Sequence, residues 1–126
     1  MLFRSAPAEA AALTAAARSL GFGVYELDGA AMGTKAELME HAALRLSFPG
    51  DFGRNWDALI DYLSDMANIH GEVKTLILVK APEKIGAGEP GLAAEFREVL
   101  GLACDRAREW GKGAVILKFV FIAAAS

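Results

Sequence analysis

The sequence predicts a small α/β domain: a three-stranded parallel sheet packed by helices. Three observations lead there. The 126 residues amount to about one domain, and with 54% hydrophobic and 23% charged residues they can build one core. Candidate strands alternate along the chain with candidate helices, an order that makes strands parallel through right-handed crossovers. The run from Val73 to Lys80 is almost continuously apolar, as in a strand covered on both faces.

Taken in order, the alanine-rich stretch Ala8 to Leu20 predicts a helix with Pro7 near its first turn and Gly21 at the left-handed position that ends it. Val24 to Leu27 reads as a short strand, stopped by Asp28-Gly29. Thr34 with Glu37 three residues on is a capping box opening a helix to about Leu46, and Ser47-Phe48-Pro49-Gly50 breaks the chain. Asn55 caps the next helix. Val73 to Lys80 is a strand, Ala81 to Gly91 a Pro/Gly loop, and Leu92 to Trp110 a long helix ended by Gly111 and Gly113. Trp56 and Trp110 fall on apolar faces and are expected in the core. Ala114 to Ile122 is the last strand and the expected centre of the sheet. The chain is expected to form a single domain over 1–126, with 1–21 a helical N-terminal extension and 22–126 the core.

Charge narrows the function classes. Sixteen acids and thirteen bases give a net charge of −3, and the window from Asp51 to Asp65 holds four aspartates against Arg54 alone. The remainder is balanced, so the whole excess lies in this window. No basic face is available for a phosphate backbone or an anionic membrane, whereas a basic partner suits the charge. Cys104 has no second cysteine to pair with, which fits a reducing cytoplasm. The apolar run Ala114 to Ala125 is twelve residues long and contains Lys118, short of the ~20 a spanning helix needs. The N-terminal run is read as a helix and not a signal peptide.

The informative segment is Phe48 to Leu63. On a helical wheel Trp56, Leu59, Ile60, Leu63 and Met66 share a stripe roughly 120° wide that faces a core. Asp57, Asp61 and Asp65 recur at i, i+4 and i+8 on the other side. Like charges at that spacing cost a few tenths of a kcal/mol per pair, and only Asp57 gains from the helix N-terminus. Most charge runs are solvated surface. Here the preceding loop adds Phe48 and Phe52 among turn residues, and aromatic groups ringed by charge make a protein-binding patch.

Pro49, Phe52, Gly53, Asn55, Asp57, Ala58, Leu59, Asp61 and Leu63 together spell a pattern that resembles the hallmark of the barstar family of intracellular ribonuclease inhibitors. The predicted element order from Val24 to Ile122 is similar to that family's as well. The Ala-rich segment before Gly21 lies outside the family's minimal domain. The resemblance implies a barstar-like fold and a non-enzymatic, cytoplasmic inhibitor with a toxin–antitoxin-like immunity role. Its loop and acidic helix would enter the basic active site of a barnase-like ribonuclease, carboxylates standing in for RNA phosphates. It implies Asp61 as main ionic contact, Asp57 as its neighbour, Phe52 and Gly53 as the covering loop and Asn55 as the cap that shapes it; Asp51, Ile60 and Ser64 complete the implied contact set. Departures stand at four positions. Asp51 replaces a second aromatic, Ile60 a tryptophan, Ser64 a threonine, and Arg106 aligns with an acidic contact, reversing its sign. They bear on which target is bound more than on how.

Other signals are weaker. Gly86, Gly88 and Gly91 match G-x-G-x-x-G, but five residues separate the strand from the first glycine and the chain is short for a dinucleotide fold. A small nucleotide-binding enzyme on that loop is the rival reading from another class, and an interaction module for a different basic partner or toxin is a third. Asp57 and Asp61 lack anything that would split their pKa values as an acid–base pair. His41 and His70 have no partner at metal-ligand spacing, and Cys104 reads as packing. No catalytic residue, cofactor or metal is expected.

Overall fold

A computed structural model describes residues 2–5 and 7–122 of the protein. The tail of the last apolar run, 123–125, lies outside the described residues. The elements are β1 (Leu2–Ser5), α1 (Pro7–Ser19), β2 (Gly23–Asp28), α2 (Lys35–Arg45), α3 (Trp56–Ser64), α4 (Met66–His70), β3 (Lys74–Lys80), α5 (Leu92–Trp110) and β4 (Ile116–Ile122), with short 3-10 turns at Gly29–Ala31 and Pro82–Lys84.

All strands run parallel, in the order β1-β4-β3-β2. The three strands expected from the sequence form the contiguous array β4-β3-β2, and the four-residue β1 joins it with Leu2 opposite Phe119. Within the expected three, β3 is the centre; β4 is interior because β1 covers its other side. Thr75 to Val79 are all buried, as a strand covered on both faces must be.

The period of two along each strand sorts the core into two layers. Leu27, Ile77, Val79, Leu117, Phe119 and Phe121 face the main core with α2, α3 and α5, whereas Leu76, Leu78, Val120 and Ile122 face Ala17 and Leu13 of α1. The domain is thus helix, sheet, helices. The predicted α1 stop is observed: Gly21 has φ +87°. Thr34 caps α2, its Oγ1 accepting from the Glu37 N–H at 3.2 Å.

One expectation fails at the acidic segment. The helix from Asn55 stops at Ser64, and Asp65 has φ −106° and ψ 17° before α4 begins. The Ser64 hydroxyl donates back to the Ile60 carbonyl at 2.6 Å, and the Asp65 N–H reaches the Tyr62 carbonyl at 3.2 Å. Such back-bonding bends helices and tightens the last turn. Asp65 therefore leaves the i, i+4, i+8 row, and its carboxylate accepts instead from Asn68 Nδ2. Trp110 corrects a second expectation: it sits in the last turn of α5 and is 59% exposed, while Trp56 is half-buried.

Candidate functional site

The segment 47–55 is held from beneath by aromatic packing. Phe48, Phe52 and Tyr62 form a triangle with ring centroids 5.0, 5.3 and 5.3 Å apart. Phe52 is only 3% exposed, so its ring anchors the loop to the core rather than presenting an aromatic surface. The loop is also closed from outside. Arg54, at φ +53°, donates from Nη1 to the Phe52 carbonyl at 3.0 Å and pairs through Nε with Glu40. The Tyr62 hydroxyl donates to Asp51 Oδ1 at 2.7 Å. That bond to a carboxylate raises the Tyr62 pKa, since losing the proton would set two anions together.

Asn55 is the cap expected of it. Its Oδ1 accepts from the Ala58 N–H at 2.8 Å and its Nδ2 donates to the Gly53 carbonyl at 3.3 Å, joining loop to helix. From there α3 turns Leu59, Ile60 and Leu63 inward and leaves Asp57 and Asp61 exposed, one turn apart. Asp57 sits in the first turn, where the helix dipole favours an anion.

The eight candidate contacts therefore divide. Asp51, Gly53, Asn55, Asp57 and Asp61 are exposed on one side of the loop and α3. Phe52, Ile60 and Ser64 are buried, so their side chains are turned into the protein and not towards solvent. Phe52 and Ile60 belong to the main core, with Phe48 and Tyr62 packed partly buried against it, and the Ser64 hydroxyl is used within its own helix.

Two features were not visible in the sequence. Asp61 is not solitary: Arg106 of α5 places Nη1 2.5 Å from its Oδ1. Nearby, Trp56 Nε1 donates to Glu95 Oε2 at 3.1 Å, so α3 and α5 are stitched at two points. These pairs span 45 and 39 residues and leave no local pattern to read.

The glycine loop is committed elsewhere. The Gly86 and Gly88 N–H groups donate to the Met32 and Gly33 carbonyls at 3.0 Å each, and Glu89 Oε1 accepts from the Lys35 N–H at 3.1 Å. Amides that would cradle a phosphate are bonded to backbone, and a carboxylate already occupies the start of α2. Among the described residues no group of three or more His, Cys, Asp and Glu is placed to hold a metal ion, and no helix is long and apolar enough to cross a membrane. Burial pushes the Cys104 thiol up, away from the reactive thiolate.

The arrangement offers fixed carboxylates on a rigid helix, suited to accept charge-assisted hydrogen bonds from Arg, Lys or His of a partner. Comparison with protein families matches residues 7–121 to Barstar (barnase inhibitor). The match begins at the first residue of α1, so the Ala-rich segment expected outside the family domain lies within it. β2, β3, the acidic segment and all but the last residue of β4 are also covered, and β1 is not. No curated protein matches the chain.

Proposed function

The chain belongs to the barstar family, and on that premise we propose that it inhibits a barnase-like ribonuclease by covering a basic active site with the 49–55 loop and α3. The observation that carries this reading is the concentration of the net charge of −3 between Asp51 and Asp65, with Asp57 and Asp61 exposed on a helix whose other face is locked in the core. The family is one of inhibitors, so the protein acts by binding and not by chemistry of its own.

In this mechanism Asp57 and Asp61 take the cations that bind RNA phosphates. Asp51, Gly53 and Asn55 supply the loop surface beside them. Long-range attraction between an acidic face and a basic cleft speeds the encounter, and the desolvated charge pairs then slow dissociation. The barnase–barstar pair is itself the standard measured example of such coupling. On this reading the protein works in the cytoplasm, as the inhibitory half of a toxin–antitoxin-like pair.

Titrating the protein into barnase and other basic ribonucleases while following RNA cleavage tests the reading. Stoichiometric loss of cleavage for at least one enzyme is expected. Undiminished cleavage by all of them, at protein in large excess, overturns it.

A further inference from the structure

The binding face is not acidic throughout. Leu102, Arg106 and Trp110 recur at i, i+4 and i+8 on α5 and so form one stripe. Leu102 is 50% and Trp110 59% exposed, and the Arg106 guanidinium lies 5.3 Å from the Trp110 ring centroid. The same guanidinium reaches Asp61 at 2.5 Å, which makes the stripe continuous with the exposed face of α3. Asp57 has no ion pair among the described residues.

We propose that Arg106 is the specificity-determining residue of this face: it selects a ribonuclease that sets a carboxylate and an apolar patch beside its basic cleft, and disfavours one that is basic across the whole contact. The assignment rests on the inhibitor reading given above. A partner basic throughout brings a cation against Arg106, and like charges set against each other across an interface discriminate strongly. To reach Asp61 such a partner must also displace Arg106 and strand it without a counter-ion as water is excluded. A partner carrying a carboxylate escapes both costs. It receives Arg106, its cation takes Asp61, and one internal ion pair becomes two across the interface. Trp110 and Leu102 add exposed apolar area of the kind found at interface centres, where Trp and Arg are the recurrent anchors.

The test uses barnase as the basic probe and stopped-flow rates for the wild-type protein and the variants Arg106→Gln, Arg106→Glu and Arg106→Lys, with circular dichroism confirming that each is folded. Arg106→Gln is expected to bind at least about tenfold tighter than wild type and Arg106→Glu tighter again, while Arg106→Lys stays within about threefold of wild type because it keeps the charge. Equal or weaker binding by folded Arg106→Gln and Arg106→Glu overturns the role of Arg106 and leaves the inhibitor reading standing. Absence of barnase binding by wild type and every folded variant overturns this assignment, and the inhibitor reading then falls only if the wider ribonuclease titration above also shows undiminished cleavage.

Discussion

Asn55 bonds in two directions, to the Ala58 N–H within α3 and to the Gly53 carbonyl in the loop. Loss of both makes Asn55→Ala destabilising by about 1 kcal/mol, within a usual range of ~0.5–2, measurable as a lower urea midpoint with an unchanged slope. His41 supplies a pH dependence. Its Nε2 accepts from the Asp28 N–H at 2.9 Å, so only the neutral ring fits. Burial, followed by the neighbouring Arg45, lowers its pKa below the ordinary value, against a smaller opposing pull from Asp28. The unfolded chain therefore takes up the proton first. The stability tied to neutral His41 is full above the ordinary histidine value of about 6.5 and is lost as pH falls below it towards the lowered native value. Urea midpoints between pH 7.5 and pH 5 should fall in the wild-type protein and fall less in His41→Gln. On the binding face, Asp57→Ala is expected to raise the dissociation rate from the inhibited ribonuclease at least about tenfold if the carboxylate meets a desolvated cation, and surface plasmon resonance would read it.

Elements were legible where their signal was local. The Thr34 cap of α2, the Gly21 stop and the buried run of β3 each rest on neighbouring residues, and each appears as expected. The break at Asp65 was hidden because an aspartate at i+8 looks like a continuing helix face; it comes from the Ser64 hydroxyl turning onto the Ile60 carbonyl. β1 has four residues, too few to show a period of two, and depends on β4 being its neighbour. At the site, Asn55, Asp57 and Asp61 could be placed from spacing alone. The burial of Phe52 and the pairing of Asp61 with Arg106 depend on tertiary contacts that spacing cannot carry. The glycine loop tests the same point by substitution. Gly86 has φ +76°, and a Cβ there would lie 2.9 Å from the Glu89 carbonyl oxygen and 3.0 Å from Leu92 Cβ. Gly86→Ala should therefore cost more than about 1 kcal/mol, from strain plus crowding, seen as a lower thermal midpoint. Nucleotide binding should be absent in wild type and variant alike by equilibrium dialysis.

For the whole molecule, one charged face on an otherwise balanced body predicts how the complex responds to salt. Raising ionic strength from roughly 0.01 M to roughly 1 M shortens the screening length from about 30 Å to about 3 Å. Association with the ribonuclease should slow at least about tenfold over that range while dissociation changes far less, because steering acts on the encounter. Stopped-flow mixing at a series of salt concentrations measures both. The position of β4 bears on synthesis. The segment 116–122 lies between β3 and β1, and the α5 that braces Asp61 comes just before it. A nascent chain that has reached only residue 100 has already made every acidic residue of the face, but has neither the arginine that holds Asp61 nor the strand that fills the sheet. Premature termination in that region would therefore yield fragments that carry the charge without its geometry, and translation must run almost to residue 122 before the acidic face and its support are complete.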